Sequence, residues 1–90
     1  MKNNTFEYGP IILDSRRGVY VYVKVNCPQS VADAVAEGDD NTLLDYHPEY
    51  GFTVKREYFV SATLSIGSVD VQISYETYSS MVKDSNNFGW

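Results

Sequence analysis

The side chains best suited to chemistry lie in one short stretch, where the single histidine of the chain stands between two carboxylates. His47 is two residues from Asp45 and two from Glu49. An imidazole beside carboxylates can bind a metal ion, or it can act as a base that an acid orients. Pro48 interrupts the stretch, and neither a second histidine nor a nearby cysteine completes a set of ligands. We therefore expect His47 to be an exposed loop residue, and we predict neither a metal site nor catalytic residues.

The same region resembles a calcium-binding loop only in its content of carboxylates. Such a loop needs glycine at its sixth position and glutamate at its twelfth. Counting from Asp39 places Leu44 and Tyr50 at these positions, and counting from Glu37 fails at both as well. The sequence therefore gives no reason to expect a bound calcium ion.

Cys27 is the only cysteine, so the chain cannot form an internal disulfide. A cysteine at the start of a helix has a lowered pKa and can act as a nucleophile. Its base would be His47, however, and no glycine-rich element that could bind an oxyanion precedes it. We predict a small buried thiol instead. Because the chain also has no phosphate-binding loop, dinucleotide motif or serine nucleophile motif, we expect a protein without a cofactor that is not an enzyme.

The charge distribution is the clearest functional signal in the sequence. The chain has 90 residues and a net charge of −5 at pH 7. Because binding to nucleic acid phosphates needs clustered lysine and arginine, we do not expect this chain to bind nucleic acid directly. Residues 25–54 contain no lysine or arginine. The carboxylates of that stretch, which we call the acidic segment, are Asp33, Glu37, Asp39, Asp40, Asp45 and Glu49. We expect this segment to bind a protein partner that has a basic surface.

The eight tyrosines are too many for all of them to be buried in so small a chain. Tyrosine gives a large contact area at a low cost in entropy, and it is enriched in protein interfaces. Four tyrosines are candidates for partner binding, two on the reverse face of a predicted hairpin and two beside the acidic segment: Tyr20, Tyr22, Tyr46 and Tyr50. The alternative is that a helix or the C-terminal tail covers these tyrosines. Tyr58 and Tyr75 are predicted to be core residues.

Residues 52–78 are predicted to form a β-hairpin whose turn fixes the pairing of its strands. Gly67 is the first of two turn residues, as in a type II′ turn. The pairs that follow on the apolar face are Ile66 with Val69, Leu64 with Val71, Ala62 with Ile73, Val60 with Tyr75, and Val54 with Met81. A shift of one residue would exchange the apolar and polar faces, so the turn and the pattern support the same register.

Residues 8–26 are predicted to form another hairpin, closed by a three-residue turn with Gly18 in the left-handed region. The predicted pairs are Ser15 with Val19, Leu13 with Val21, and Ile11 with Val23. Pro10 has no N–H to donate to a neighbouring strand, which favours an edge position for the first strand.

One short helix is predicted between the hairpins, with Pro28 in its first turn, residues 29–37 following, and Gly38 ending it. Residues 39–51 are predicted to be a loop with one helical turn, and residues 79–90 a flexible polar tail. The sequence therefore predicts an α+β fold, a single domain over residues 1–90 in which one helix packs on one face of a four-stranded, mainly antiparallel sheet in the order ββαββ. The predicted core consists of Val21, Val60, Ala62, Leu64, Val71 and Ile73 beneath Val31 and Val35 of the helix.

The composition points to a cytoplasmic protein that does not bind membranes, because no apolar stretch is long enough to cross a bilayer and no leader is recognised. Many phage-encoded inhibitors of host or defence machinery, including anti-CRISPR proteins and DNA mimics, are similarly small, acidic and without active-site chemistry. The leading hypothesis is therefore a non-catalytic inhibitor of this type, cytoplasmic in the host cell. The alternative is a structural or homo-oligomeric subunit, such as a virion component or a sponge for a small ligand, that assembles through its tyrosine-rich hairpin. A homodimer is compatible with both hypotheses.

Overall fold

Four strands of the chain join in one antiparallel sheet, as the computed structural model shows for residues 3–49 and 51–88, the described part of the chain. In chain order the elements are β1 (Asn3–Asp14), β2 (Val19–Pro28), α1 (Gln29–Ala36), β3 (Leu44–His47), β4 (Gly51–Val54), a short 3₁₀ helix (Arg56–Tyr58), β5 (Phe59–Ile66), β6 (Val69–Ile73) and α2 (Tyr75–Phe88). The sheet has the strand order β1-β2-β5-β6, and β3 pairs with β4 in a separate sheet. The predicted α+β class and the four-stranded antiparallel sheet are confirmed. The predicted order ββαββ is not, since the structure adds β3, β4 and α2.

The hairpin of β5 and β6 has the predicted register around its turn. The observed pairs are Ile66 with Val69, Ser65 with Asp70, Leu64 with Val71, Thr63 with Gln72, and Ala62 with Ile73. Gly67 has a φ of 60°, a left-handed value that glycine adopts without the steric cost of a Cβ. The turn and the alternation of apolar residues were therefore sufficient to predict this part of the sheet.

The predicted continuation of this hairpin is wrong, because the chain after Ile73 forms helix α2 rather than a strand. The Oγ of Ser74 accepts a hydrogen bond from the backbone N–H of Thr77 at 3.1 Å, which caps the start of a helix. Tyr78 and Val82 are four residues apart and both are buried, as on one face of a helix. The predicted pairs of Val60 with Tyr75 and of Val54 with Met81 are therefore absent. Residues 79–88, expected as a tail, belong to α2, and residues 89–90 lie outside the described part.

A register shift moves Val60 out of the core. Lys24 of β2 pairs with Ser61, whereas the next residue, Val25, pairs with Phe59. Phe59 packs against the core, and Val60 is 50% exposed. The prediction that Val60 is buried is wrong because the regular alternation assumed no bulge in β5.

The hairpin of β1 and β2 is shifted from its predicted register. Its turn has four residues, 15–18, so that Asp14 pairs with Val19, and further shifts follow along β1. The Asp14 carboxylate stabilises this turn by accepting hydrogen bonds from the N–H groups of Arg16 at 3.0 Å and Arg17 at 3.3 Å. The prediction relied on Gly18 and did not include hydrogen bonds from the turn to the Asp14 side chain. The predicted turn is therefore shorter than the observed one. The predicted edge position of β1 is confirmed.

Helix α1 is confirmed, and both helices contribute to one hydrophobic cluster. The buried members of this cluster are Leu13, Val19, Val21, Val23, Val25, Cys27, Val31, Leu43, Val54, Ala62, Leu64, Tyr78 and Val82. Of the predicted core residues, Val21, Val31, Ala62 and Leu64 are buried, while Val35 and Ile73 are half-buried against the cluster. Val71 is 48% exposed because β6 is an edge strand, so its prediction as a core residue is wrong. Neither helix in the described part of the chain has the length and apolar character needed to cross a membrane.

Candidate protein-binding surface

The acidic segment begins on α1 and continues through the connection to β3. Asp33 and Glu37 are exposed on the helix and at its end. Gly38, with a φ of 91°, turns the chain out of the helix, and the N–H of Asp39 donates to the carbonyl of Ala34 at 2.8 Å. This hydrogen bond satisfies a carbonyl group that would otherwise lack a donor at the end of the helix. The helix end therefore fixes the positions of the first carboxylates of the segment relative to one another.

These carboxylates have local hydrogen bonds but no cationic partner. The Nε2 of Gln29 donates to Asp33 at 2.6 Å, and the N–H of Asn41 donates to Asp39 at 3.1 Å. Among residues 3–49 and 51–88, no lysine or arginine forms an ion pair with the acidic segment. The two lysine or arginine ion pairs of this part join Arg17 to Asp14 and Arg56 to Glu76. The described lysines and arginines therefore form no direct ion pair that would neutralise the charge of the segment.

Asp40 differs from the other carboxylates, because it has a role within the fold. The hydroxyl of Tyr8 on β1 donates to its Oδ2 at 2.6 Å. Burial, together with this carboxylate, raises the pKa of Tyr8 above its usual range. The backbone carbonyl of Asp40 also accepts from the N–H groups of Leu43 and Leu44 at 3.1 and 3.0 Å. Asp40 therefore connects the acidic connection to the edge of the main sheet.

The last part of the acidic segment lies on the small sheet. Asp45 is half-buried on β3, opposite Thr53 of β4, whereas Glu49 is exposed in the turn that follows β3. The structure brings Tyr46 into the same strand as Asp45. Tyr50 lies outside the described residues. Because Asp45 and Tyr46 are consecutive in β3, their side chains point to opposite faces of the small sheet.

A cleft of about 460 Å³ opens beside the connection between α1 and β3. The residues that line it include two acidic ones, Asp39 and Asp40, and three aromatic ones, Tyr8, Phe52 and Tyr78. A concave surface lined by acidic and aromatic residues suits a long cationic side chain, whose stem can contact aromatic groups while its charge lies near carboxylates.

Sequence reasoning missed the small sheet beside this cleft, because it assigned residues 39–51 to a loop. The ring of Phe52 contacts that of Tyr46 across the small sheet, with 5.2 Å between the ring centroids, and both side chains are exposed. A signal was present, since Leu44, Tyr46, Phe52 and Val54 alternate with other residues on either side of a turn. Strands of four residues are too short for this alternation to stand out.

Tyr20 and Tyr22 lie on another surface. In β2, the buried residues alternate with Tyr20, Tyr22 and Lys24, which point to the opposite face of the sheet. Tyr22 is 37% exposed and Ile12 on the neighbouring strand is 60% exposed. The structure therefore separates this face, which we call the tyrosine face, from the acidic segment.

The other candidate residues for chemistry have structural surroundings. His47 is half-buried in β3 with its Nε2 3.1 Å from the Oγ1 of Thr53, so its prediction as an exposed loop residue is wrong. Cys27 is buried in β2, as predicted, and burial raises the pKa of its thiol, which opposes use as a nucleophile. In the described part of the chain, no group of at least three histidine, cysteine, aspartate or glutamate side chains is placed to hold a metal ion.

Comparison with known proteins gives no match to any protein family, curated protein or solved structure.

Proposed function

We propose that this chain is a small acidic binding protein that blocks a basic surface of another protein. Its type is that of a phage-encoded inhibitor of host or defence machinery, as anti-CRISPR proteins and DNA mimics are. The acidic segment is the contact surface, with exposed carboxylates at Asp33, Glu37 and Asp39 and the aromatic cleft beside them. No catalytic step is part of this function.

The observation that carries the proposal is a set of surface carboxylates with no lysine or arginine partner among the described residues. Like charges held close together repel one another and destabilise the folded state. A basic partner removes this repulsion when it binds, and the field of the segment also accelerates its approach. The arginines and lysines that the chain does have lie outside residues 25–54 of the sequence.

The test is affinity capture from a nuclease-treated bacterial lysate with three immobilised proteins. These are the wild type, a variant with Asp33→Asn, Glu37→Gln and Asp39→Asn, and a control with Glu7→Gln, Glu57→Gln and Asp84→Asn. All of these positions are exposed, and both triple variants lose the same amount of charge. The wild type and the control should retain the same basic proteins, and the acidic-segment variant should lose them. Equal capture by both triple variants would place the contact elsewhere.

A second measurement tests the inhibitor role itself. A captured protein that binds nucleic acid should release it when the wild-type chain is added in a gel-shift assay, and the acidic-segment variant should fail to displace it. Capture without displacement would show a binding protein that leaves the nucleic acid site open.

The tyrosine face favours a second candidate function, a subunit of a homo-oligomer such as a virion component or a sponge for a small ligand. Ile12 of β1 and Tyr22 of β2 are both exposed, and Ile12 pairs with Tyr20, two residues from Tyr22. Light scattering of the wild type and of an Ile12→Ser/Tyr22→Ser variant separates the candidates. An oligomer lost in that variant would favour assembly through this face.

A further inference from the structure

The two edges of the main sheet are built differently. The β1 edge carries Pro10, which has no N–H, and two shifts of register interrupt its pairing with β2. Proline and bulges are devices that keep another strand from pairing with an edge. The β6 edge has neither, since all five of its residues pair with β5 without a shift. No strand in the described part of the chain pairs with its outer side.

Strand β6 also leaves apolar side chains uncovered. Val69 is 58% exposed, and Val71 and the neighbouring Ile66 of β5 are exposed as well. Leu64 pairs with Val71, so these side chains continue the apolar face of the sheet past the limit of the core. An apolar edge strand without proline or a bulge is a site for pairing with another strand.

We propose that β6 pairs with β6 of a second copy of this chain, antiparallel and with Val71 opposite Val71. The sequence Val69-Asp70-Val71-Gln72-Ile73 is complementary to itself in this register. Val69 faces Ile73 of the second copy on the apolar side. Asp70 faces Gln72 on the polar side, so no two carboxylates meet across the symmetry axis and each can accept a hydrogen bond from an amide. This charge pattern is the reason for assigning the site to a second copy.

The backbone groups have the arrangement that this pairing needs. A two-residue turn closes with the N–H of Val69 donating toward Ile66, and the groups of successive residues in a strand point to opposite sides. The N–H and carbonyl groups of Asp70 and Gln72 therefore point away from β5. Opposed across the axis, Asp70 and Gln72 exchange backbone hydrogen bonds with their counterparts in the second copy.

The assembly closes at two copies, because a symmetric interface uses the same surface of each chain and the remaining edges are the two protected β1 strands. The cleft of the acidic segment is lined by Tyr8 and Ile11 of β1, at the opposite side of the sheet from β6. The dimer therefore leaves both acidic segments free, and it does not depend on the function proposed above.

Sedimentation velocity of the wild type from micromolar to millimolar concentration tests the proposal. The expected result is a reversible change from monomer to dimer. A five-residue edge is smaller than a standard interface, so we expect weak association. A protein that stays monomeric over the whole range would overturn the proposal.

Substitutions at Gln72 test the site, with thermal unfolding at low concentration as the check that each variant folds. Gln72→Pro removes an N–H that points away from β5, and it should weaken dimerisation by at least about tenfold, a loss of about 1.4 kcal/mol. Gln72→Ala keeps that N–H and should leave the dimer in place. A dimer that survives Gln72→Pro, or that is lost in the Ile12→Ser/Tyr22→Ser variant instead, would show that β6 is not the contact.

An exchange of charge tests the register. Gln72→Glu places two carboxylates opposite each other at both ends of the contact and should abolish the dimer. Adding Asp70→Lys makes the introduced lysine of one copy face the introduced glutamate of the other, and it should restore the dimer. Failure of this rescue, with a folded double variant, would exclude the Asp70–Gln72 pairing.

Discussion

Asp40 and Asp39 are neighbours in the acidic segment, yet their side chains have different roles. The Asp40 carboxylate is half-buried and accepts the Tyr8 hydroxyl at 2.6 Å, whereas Asp39 is exposed and accepts only the N–H of Asn41. A substitution at Asp39 can therefore change the proposed contact surface without disrupting the fold. A substitution at Asp40 changes both the surface and the fold. This difference decides which carboxylates belong in a binding test.

We predict that Asp40→Ala lowers the free energy of unfolding by about 1–2 kcal/mol, since it removes a hydrogen bond to a charged group. Asp39→Ala should change it by less than about 0.5 kcal/mol. Urea denaturation of both variants, of Tyr8→Phe and of the Asp40→Ala/Tyr8→Phe double variant measures these values. Losses at Asp40 and Tyr8 that add in the double variant would contradict a direct interaction between them.

Tyr78 connects α2 to the small sheet through the backbone of Val54. Its hydroxyl accepts the buried N–H of Val54 at 3.0 Å, and the hydroxyl of Tyr75 donates to the carbonyl of the same residue at 3.2 Å. Burial raises the pKa of Tyr78 to about 12. The folded state therefore holds the phenolic proton more tightly than the unfolded state does, in which the pKa is about 10.

This pKa predicts loss of stability in alkali. The contribution of protonated Tyr78 is complete below pH about 10 and is lost as the pH rises toward 12. Tyr78→Phe should lower stability at neutral pH by about 1–3 kcal/mol, because the Val54 N–H loses its acceptor. It should also reduce the decline of stability between these pH values, with Tyr22→Phe as an exposed control. An equal alkaline decline in wild type and Tyr78→Phe would contradict the assignment.

At the scale of the elements, the bulge in β5 decides which side chains reach the core. Leu64→Ala should lower the free energy of unfolding by about 2–5 kcal/mol, through lost burial and the cavity that remains. Val60→Ala, at the bulge, should change it by less than about 0.5 kcal/mol. Chemical denaturation of the two variants compares them directly. Similar losses at both positions would mean that β5 is regular and that Val60 is buried.

The elements with strong local signals are the ones that could be predicted from the sequence. Gly67 and the alternating apolar residues determine the β5–β6 register, and Pro28 and Gly38 bound helix α1. The start of α2 could not be predicted in the same way, because the strand alternation of β6 continues into Tyr75 and only the Ser74 cap ends it. The Ser74 cap is a local contact that outweighs the regular pattern, whereas the bulge in β5 depends on its pairing with β2.

For the proposed binding surface, the charge could be predicted from the sequence, whereas the shape could not. The absence of lysine and arginine from residues 25–54 is visible in the sequence. The cleft is not, since it requires Tyr8 of β1, Phe52 of β4 and Tyr78 of α2 to meet. These residues are far apart in the chain, and no local pattern relates them. The tyrosine face, in contrast, followed from the alternation of β2 alone.

At the scale of the whole molecule, the sheet separates three surfaces. The acidic segment and its cleft adjoin β1, the apolar edge lies at β6, and the tyrosine face covers the side away from the core. A dimer formed through β6 presents two acidic segments at its ends. If the partner is itself a dimer or has repeated sites, the second contact raises the overall affinity without any new interaction.

The salt dependence of association with a captured basic protein tests the central claim most directly. We predict that the association rate constant of the wild type falls steeply as salt rises, since screening shortens the reach of the acidic segment. At low salt, the Asp33→Asn/Glu37→Gln/Asp39→Asn variant should associate at least about tenfold more slowly than wild type, with a smaller change in dissociation. The difference should shrink at high salt, and the Glu7→Gln/Glu57→Gln/Asp84→Asn control should follow the wild type. Equal association rates for all three proteins, unchanged by salt, would contradict the assignment of the acidic segment as the contact surface.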